Sequence, residues 1–476
     1  MGARTLWRVF GNTVAVSTVP LALLGAYLFF WPVPLDPVQW APGFDPGLSG
    51  PYVENDEISR ARLLPIHWIE PVQREAQRFV GAGPETVALG PDGWLYTGLC
   101  DAERALGSDR PSCTSSGETQ GWVVRVDPRT AHVERYVQTG GRPLGLAFDA
   151  AGRLYIADGV QGLLRVDTPV LASPANAGTE RYARRVASCA VPADRAALPR
   201  RVIVEPSETR FESGELGSVR EPGPQPYYTD SVAIGRNPTT HAEEVWFTCP
   251  SQRWSLANIH LDGLETRGTG RVLRYSPCEG KEALDCPTTL AADELLFANG
   301  IAVAPEQDRV WVSEWYGYRV TALTPAPGAG RDALWSKSTF FDNAPGYPDN
   351  LTFEAGATPG AGTLWVGLVI LRLPIVDRFH PHSFLKALLA RLPGSAQVSR
   401  HAFAIGLDER GQLRRNLQDA TGLLDQVTGV YPVGDALYFA SNTAEAIGCI
   451  VRPGAALGFD PCGPGAHGRH PEASAP

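Results

Sequence analysis

Four residues with oxygen-bearing side chains recur at the same place in successive sequence repeats. They are Glu85, Asp230, Asn299 and Asp349, and each stands just before or at the start of an apolar run. Carboxylate and amide oxygens without Cys or His suit a hard cation, Ca²⁺ first and Mg²⁺ or Mn²⁺ as alternatives. Converging carboxylates would otherwise repel one another and raise each other's pKa. The spacing therefore predicts a cation site, although each residue taken singly is also an ordinary turn former.

The segments that must position these residues are six copies of one hairpin. Each copy is an apolar run, a polar turn and a second strand that carries an aromatic residue near its start. The copies span Ala88 to Gly98, Ala147 to Asp158, Ala233 to Cys249, Ala302 to Glu314, Leu351 to Leu368 and Gly429 to Ser441. Repetition of this kind predicts an all-β fold, a six-bladed β-propeller, whose innermost strands surround a central channel. The four polar side chains would converge on that channel.

Composition divides the 476 residues into four parts. We expect a membrane anchor over 1–35, a Pro-rich connector over 36–75, the propeller over 76–453 and a flexible tail over 454–476. Residues 170–225 have weak periodicity and predict an insertion between the second and third blades. Helical spacing from Ser383 to Pro393 predicts a short amphipathic helix, either at the channel mouth or against a membrane.

The N-terminal segment carries no charged residue from Val9 to Leu35, which is long enough to cross a bilayer as a helix. Arg4 and Arg8 precede it, and Asp36 and Asp45 follow it. The positive-inside rule then predicts a single-pass membrane protein with a cytoplasmic N-terminus and an extracytoplasmic propeller. A cleaved signal peptide is the alternative.

Charge and cysteine content restrict the partners and the compartment. The net charge is −9, with no basic cluster in the body of the chain, so we expect no nucleic-acid partner. The eight cysteines form no zinc-like pattern, and an even number outside a membrane favours disulfides over free thiols. Three pairs are close in sequence, 100 with 113, 278 with 286 and 449 with 462, which leaves Cys189 and Cys249.

Several motifs together resemble a known family. They are Gly141-Arg-Pro-Leu-Gly-Leu146, Gly152-Arg-Leu-Tyr-Ile-Ala-Asp158, Gly270-Arg-Val-Leu-Arg-Tyr-Ser-Pro277, Phe297-Ala-Asn-Gly300, Gly317-Tyr-Arg-Val320 and Gly346-Tyr-Pro-Asp-Asn350. The combination resembles the strictosidine synthase-like and adipocyte plasma membrane-associated protein group, within the superfamily of gluconolactonases (senescence marker protein) and paraoxonases. The resemblance implies a six-bladed propeller with one channel metal, usually calcium. Its ligands would fall on the four residues above, with Asn350 as a fifth.

Residues that differ from those of the related enzymes restrict the reactions that the sequence supports. Thr86 and Ser231 stand where paraoxonases hold a second calcium, which puts a second metal site in doubt. Leu144 stands where the paraoxonase catalytic His would fall, so a His-based lactonase mechanism is not supported. The catalytic Glu of strictosidine synthase falls loosely on Asp425.

These observations predict a calcium-dependent hydrolase of small esters, including aryl esters, or lactones. The cation would polarise the carbonyl, and Asp349 or a water on the cation would act as base. The side chains that we expect around the substrate mouth are His380, His382, Trp315, Tyr316 and Tyr347, with the histidines as proton shuttles or as exposed loop residues. The alternatives are a ligand- or partner-binding propeller without catalysis and an amine–aldehyde condensation that uses Asp425.

Overall fold

A computed structural model describes the chain over the following residues: 25, 27, 35–66, 68–70, 78–80, 82–100, 121–167, 183–189, 228–237, 240–278, 286–305, 308–326, 333–358, 360–391, 400–453, 460–463 and 466–467. The strands in chain order are β1 (Arg62–Pro65), β2 (Trp68–Glu70), β3 (Arg78–Val80), β4 (Ala88–Leu89), β5 (Leu95–Leu99), β6 (Trp122–Val126), β7 (Val133–Gln138), β8 (Pro143–Phe148), β9 (Leu154–Asp158), β10 (Gly162–Val166), β11 (Ala183–Ala187), β12 (Val232–Arg236), β13 (Glu243–Cys249), β14 (Gly270–Tyr275), β15 (Thr288–Leu295), β16 (Ala298–Val303), β17 (Val310–Glu314), β18 (Arg319–Thr324), β19 (Ser336–Phe341), β20 (Gly346–Glu354), β21 (Thr363–Leu371), β22 (Ala402–Asp408), β23 (Leu413–Asp419), β24 (Val427–Val433), β25 (Ala436–Ser441), β26 (Ala446–Val451) and β27 (Ala466–His467). The α-helices are α1 (Ile259–Glu265), α2 (Pro374–Phe379) and α3 (Ser383–Leu389), and the 3₁₀ helices are Gly50–Tyr52, Ile58–Arg60, Leu256–Asn258 and Trp315–Gly317.

The strands form six antiparallel blades, and the predicted six-bladed propeller is confirmed. The first five blades are β4 to β7, β8 to β11, β12 to β15, β16 to β19 and β20 to β23, and the sixth contains β24, β25, β26, β1 and β27 in that order. The first strands of neighbouring blades contact one another, as β12 does with β8 and β16, and β20 with β16 and β24. These first strands therefore form the wall of the central channel. The short β2–β3 ladder is separate.

Each predicted hairpin copy is the pair formed by the first and second strands of one blade. In every blade, a large aromatic residue of the second strand lies opposite a residue of the first strand, at the same position of the repeat. The pairs are Ala88 with Tyr96, Ala147 with Tyr155, Ala233 with Trp246, Ala302 with Trp311, Thr352 with Trp365 and Tyr431 with Tyr438. The partner is Ala or Thr in the first five blades, and these aromatic side chains are buried in the layers between neighbouring blades. The sequence repeat thus reflects one packing arrangement that recurs in every blade.

The ring is closed by an N-terminal strand. Strand β1 pairs antiparallel with β26, with Arg62 opposite Cys449 and Pro65 opposite Ala446. This strand lies in the 36–75 segment, where we expected a connector. Similarly, β11, the outer strand of the second blade, lies within 170–225, where we expected an insertion. Joining the two ends of the chain in one blade removes the free edge that an open ring would expose.

The remaining predictions about the chain concern its cysteines and its helices. Disulfides join Cys278 to Cys286, Cys449 to Cys462 and Cys189 to Cys249. Cys100 is also disulfide-bonded, while Cys113 lies outside the described residues. The amphipathic stretch from Ser383 forms α3, as predicted.

The predicted transmembrane helix falls almost entirely outside the described residues. Within the part of the chain that the structure describes, no helix is long and apolar enough to cross a membrane. The anchor over 1–35 therefore stays a prediction. Most of the predicted tail over 454–476 is likewise outside the described residues.

Candidate functional site

The four predicted ligands lie at one end of the channel, within or just before the first strands of four blades. Glu85 precedes β4, Asp230 precedes β12, and Asn299 and Asp349 lie within β16 and β20. All four are buried, with 3 to 9 % of their surface exposed. Four separate loops and strands thus bring oxygen-bearing side chains to the same end of the channel.

The charges of three of these side chains act on one another. Burial, followed by the charges of Glu85 and Asp230, raises the pKa of Asp349 well above its ordinary value. Burial and the charge of Glu85 likewise raise the pKa of Asp230, against a lowering effect of Arg142. Burial raises the pKa of Glu85, again opposed by Arg142. The three carboxylates therefore repel one another across the channel, as their convergence predicted.

The donor set fits a hard cation. Oδ1 of Asp230, Oδ1 of Asn299 and Oδ1 of Asp349 are buried and have no hydrogen-bond partner. A buried oxygen without a partner is costly, and three of them in one place form an oxygen-only set. Among the described residues, however, no group of three or more His, Cys, Asp or Glu side chains is positioned to hold a metal ion.

Arg142 is a buried residue of the candidate site that we did not predict. Its Nη2 donates a 3.0 Å hydrogen bond to Oε2 of Glu85, and both side chains are buried. Oδ1 of Asp158 accepts bonds from the backbone N–H groups of Arg142 at 3.1 Å, Val160 at 2.9 Å and Gln161 at 2.8 Å. Asp158 thus shapes the loop that carries the arginine. Arg142 lies in the motif Gly141-Arg-Pro143, but the sequence does not distinguish it from an ordinary arginine in a surface turn.

Hydroxyl groups on the second strands fix the backbone of the ligand residues. Ser313 donates to the carbonyl oxygen of Asp349 at 2.6 Å and accepts from the N–H of Gly300 at 2.7 Å. Thr248 donates to the carbonyl oxygen of Asn299 and accepts from the N–H of Ser231 at 3.0 Å. Each hydroxyl bridges its own blade to the next one. The ligand positions are therefore set by contacts between blades.

Sequence position explains why these two residues are small. They lie two residues after the buried aromatic of the second strand, where the six blades carry Gly98, Ala157, Thr248, Ser313, Gly367 and Ala440. A Cβ atom at Gly98 would lie 2.2 Å from the carbonyl oxygen of Pro143, and one at Gly367 would lie 2.1 Å from that of Thr428. Neighbouring blades approach too closely here for a large side chain. The small residue two positions after each buried aromatic residue could have indicated these close contacts from the sequence.

The carbonyl oxygen of Glu85 accepts hydrogen bonds from side chains of two other blades. Asn350 donates to it from Nδ2 at 2.9 Å, Thr428 from its hydroxyl at 2.8 Å and Tyr431 from its hydroxyl at 3.4 Å. Asn350, the fifth ligand that the resemblance implied, thus directs its amide nitrogen to this carbonyl. Burial, together with the charges of Asp349 and Glu85, raises the pKa of Tyr431, so its hydroxyl lies near the carboxylates.

Asp425 precedes the first strand of the sixth blade, in which Thr428, not Asp425, stands at the repeat position of Glu85. Its Oδ1 accepts a 2.7 Å hydrogen bond from Thr443, and its carbonyl oxygen accepts one from Ser441. Asp425 is buried. The structure thus places Asp425 in the loops of its own blade.

An aromatic roof covers the ligand end of the channel. Tyr228, Phe297 and Tyr347 stand two residues before Asp230, Asn299 and Asp349. They pack in one buried cluster, the roof cluster, with Leu144, Tyr316, Tyr318 and Val369, and the half-buried Trp315 and Trp40 lie against it. The ring centroids of Trp315 and Tyr347 are 4.9 Å apart. Trp315, Tyr316 and Tyr347 therefore pack together, and their place at a substrate mouth stays a prediction.

Helices and the N-terminal segment 38–40, which we call the strap, lie against the roof cluster. The backbone N–H of Val38 bonds to the carbonyl oxygen of Glu265 at the end of α1 at 3.0 Å, and that of Trp40 bonds to the carbonyl oxygen of His380 after α2 at 3.2 Å. Nζ of Lys386 on α3 donates to the carbonyl oxygen of Val38 at 2.7 Å. Residues before the propeller thus tie the three helices together.

The two histidines near the roof differ in exposure. His380 is buried against Trp40, with ring centroids 4.9 Å apart, whereas His382 is exposed. Burial and the nearby charges of Lys386 and Arg372 lower the pKa of His380 to about 3. Its imidazole is therefore neutral at pH 7, where a proton shuttle would have to exchange its proton. The proton-shuttle role of the two histidines stays a prediction.

Comparison with known proteins bears on the predicted family. The strictosidine synthase family model matches residues 237–322, and the model of the strictosidine synthase-like N-terminal region matches residues 72–101. The chain is similar to the strictosidine synthase-like proteins. The adipocyte plasma membrane-associated protein of Danio rerio is 24 % identical over 430 residues, which is 86 % of this chain and 81 % of that one. The human protein of the same name is 23 % identical over 448 residues, covering 92 % and 88 % of the two chains.

Plant proteins and solved structures were also found. Strictosidine synthase-like protein 7 of Arabidopsis thaliana is 26 % identical over 301 residues, which is 61 % of this chain and 58 % of that one. A gluconolactonase from Xanthomonas campestris is 16 % identical with a TM-score of 0.43, covering 88 % of this chain and 99 % of its own. Regucalcin from Agrobacterium tumefaciens, described as a calcium-binding protein, is 12 % identical with a TM-score of 0.43, covering 82 % and 93 %.

Proposed function

We propose that this protein is a divalent-cation-dependent hydrolase of esters or lactones, with calcium in the channel. The observation that carries the proposal is the set of buried, unpartnered oxygens of Asp230, Asn299 and Asp349. Glu85 would complete the set after leaving Arg142, and Asn350 after a turn of its amide that brings its oxygen inward. A bound calcium ion would supply a Lewis acid for the substrate carbonyl.

Asp349 is the residue that we assign as the base. Burial and its carboxylate neighbours raise its pKa in the metal-free site, and a bound calcium ion would offset that repulsion and keep the carboxylate ionised, as a base must be. The side chain of Asn299 and the N–H of Asn350 bond to it and hold its orientation. The roof cluster would exclude bulk water, and Trp315 with Tyr347 would provide an apolar wall for an aromatic ester.

A substrate screen tests this function directly. The purified full-length chain is assayed with aryl acetates and γ-lactones in the presence of calcium and after treatment with a chelator. We expect hydrolysis that requires calcium and falls at least a hundredfold in Asp349→Asn, as is usual for loss of a general base. Asp342→Asn, an exposed aspartate in the loop before β20, is the matched control. Full activity of Asp349→Asn, or activity that ignores the chelator, contradicts the proposal.

Two other functions from the sequence remain as second candidates. The ion pair of Arg142 with Glu85 satisfies one proposed ligand without a cation and so favours a propeller that binds a ligand without catalysis. Saturable ligand binding with no turnover of any ester would support that function. The strictosidine-type condensation would use Asp425, and formation of a product from an arylethylamine and an aldehyde would support it.

Membrane attachment is a separate part of the proposal. The uncharged segment from Val9 to Leu35 would anchor the protein, with the propeller outside the cytoplasm. The relatives named adipocyte plasma membrane-associated protein are consistent with this arrangement. Protease protection of intact vesicles carrying the full-length chain is the test. A propeller that is digested from the cytoplasmic side contradicts the orientation.

A further inference from the structure

Helix α3, beside the roof cluster, buries its charged residue and leaves its apolar residues more exposed. Lys386 has only 1 % of its surface exposed, whereas Phe384 has 60 % exposed. The leucines of the same helix are partly exposed, namely Leu385, Leu388 and Leu389. A helix that faces water has the reverse pattern, with its apolar side toward the protein. The apolar side of the predicted amphipathic helix is therefore directed outward.

Helix α1 has the same arrangement. It buries the acidic residues Asp262 and Glu265, while Leu261 and Leu264 are partly exposed. Helix α3 contacts both α1 and α2, and Ile375 of α2 is 57 % exposed. These neighbouring helices together carry a set of outward apolar side chains, which we call the helix face. Its residues are Leu261, Leu264, Ile375, Phe384, Leu385, Leu388 and Leu389.

The buried charges of these helices have specific partners. Nζ of Lys386 donates to the carbonyl oxygen of Val38 at 2.7 Å. Glu265 accepts a 2.9 Å hydrogen bond from Nε1 of Trp254 and forms an ion pair with Arg253 at 3.1 Å. Burying a charged side chain is costly, and such hydrogen bonds and ion pairs offset the cost. The helices are thus held with their charged side chains toward the propeller.

The uncharged N-terminal segment reaches the same part of the molecule. Within that segment, the hydroxyl of Tyr27 donates a 2.9 Å hydrogen bond to the carbonyl oxygen of Arg391, two residues after α3. Just after the segment, Asp36 forms a 2.6 Å ion pair with Arg267, two residues after α1. Tyrosine is also enriched where a membrane meets water. A bilayer that holds the segment from Val9 to Leu35 would therefore lie next to the helix face.

We propose that the helix face lies in the headgroup region of this bilayer, so that the propeller rests on the membrane with the roof cluster on the membrane side. Amphipathic helices at a membrane lie in the plane of the interface, with their apolar side at the boundary of headgroups and acyl chains. The inference rests on the membrane anchor given in the proposed function and is independent of the proposed hydrolysis.

Photo-crosslinking of the full-length chain tests this docking. The variants Phe384→benzoylphenylalanine and Ile375→benzoylphenylalanine are reconstituted into vesicles of phosphatidylcholine, and adducts are identified by mass spectrometry after illumination. Leu89, an exposed residue at the end of β4 farther from Glu85, receives the same label as the matched control. Burial of one large apolar side chain favours the docked state, so we expect at least about tenfold more lipid adduct at positions 384 and 375 than at 89.

A charge on the helix face should release it from the lipid. With the label at position 384, Ile375→Glu should lower the lipid adduct by roughly tenfold, because the apolar contribution of Ile375 is lost. Leu89→Glu, on the control side, should leave the adduct unchanged. Both positions are exposed, so neither change should disturb the fold. An adduct that is insensitive to Ile375→Glu contradicts the docking.

Alkaline extraction of the same vesicles reports the anchor separately. A chain that resists extraction but gives no lipid adduct at either position overturns this inference and leaves the anchor intact. Lipid adducts at both positions in a chain that is extracted support the docking while the anchor proposal fails. An extracted chain without lipid adducts overturns both. Crosslinks from position 384 to the N-terminal segment or to a second copy of the chain, in place of lipid, would show that protein covers the helix face and would also overturn the inference.

Discussion

The guanidinium of Arg142 lies 3.0 Å from Oε2 of Glu85, at the end of the channel where three carboxylates converge. The arginine is thus a cation that belongs to the chain and lies within the proposed site for a bound cation. Its charge lowers the pKa of Asp230 and of Glu85, which are otherwise raised by burial. Arg142 would therefore stabilise the site before metal binding and compete with the metal afterwards.

Replacing Arg142 should strengthen calcium binding. In Arg142→Gln a positive charge next to the proposed site is lost, and we expect the calcium affinity to rise by at least about tenfold, because charges about 4 Å apart interact by about 1 to 4 kcal/mol. Calcium titration by calorimetry measures the affinity. Arg135→Gln, an exposed arginine on the outer strand of the same region, should have no effect. Weaker calcium binding in Arg142→Gln would show that the arginine does not compete with the ion.

Removing the hydroxyl of Ser313 should destabilise the fold and weaken the site together. The hydroxyl is fully buried and pairs with the carbonyl oxygen of Asp349 and the N–H of Gly300. Leaving both groups unpaired costs about 1–3 kcal/mol in the free energy of unfolding. Urea unfolding of Ser313→Ala checks this value, with the exposed Ser338→Ala as control. An unchanged stability would mean that the bridge between the two blades contributes nothing.

His380 should make the protein sensitive to acid. Its pKa is about 3 in the folded protein against 6.5 for the free side chain, mainly because of burial. Between these values the unfolded chain binds a proton that the folded chain does not, so this residue makes stability fall as the pH falls from 6.5 toward 3. His380→Phe keeps a ring against Trp40 and should lose less stability between pH 7 and pH 4 than the parent. Urea unfolding at both pH values is the measurement, and parallel losses would contradict the assignment.

Much of the fold could be predicted because one packing rule repeats in every blade. The buried aromatic of each second strand, such as Trp246 or Trp311, needs the same neighbours each time, and so it leaves a periodic pattern in the sequence. The four polar residues at the channel recur at one fixed position of this repeat, which is why they could be predicted from the sequence. The aromatic residues of the roof cluster share it as well, two positions earlier.

The missed features depend on contacts between distant parts of the chain. Strand β1 is short, and its place in the sixth blade depends on pairing with β26, which lies far away in sequence. Tyr431 occupies the position held by Ala or Thr in the other blades, and only the assembled ring shows that its hydroxyl reaches Glu85. The neutral state of His380 results from burial beneath the strap at Trp40, which the loop sequence alone does not reveal.

The central claim is that the converging oxygens hold one calcium ion. Elemental analysis and thermal unfolding of the purified full-length chain, before and after chelation, test it most directly. We predict one calcium per chain, lost with the chelator together with stability. The loss should be about 2.7 kcal/mol where the free ion exceeds its Kd a hundredfold. Asn299→Ala and Asp349→Ala should fail to rebind the ion. A metal-free protein that binds no added calcium and has the same thermal stability with and without chelator would contradict the claim.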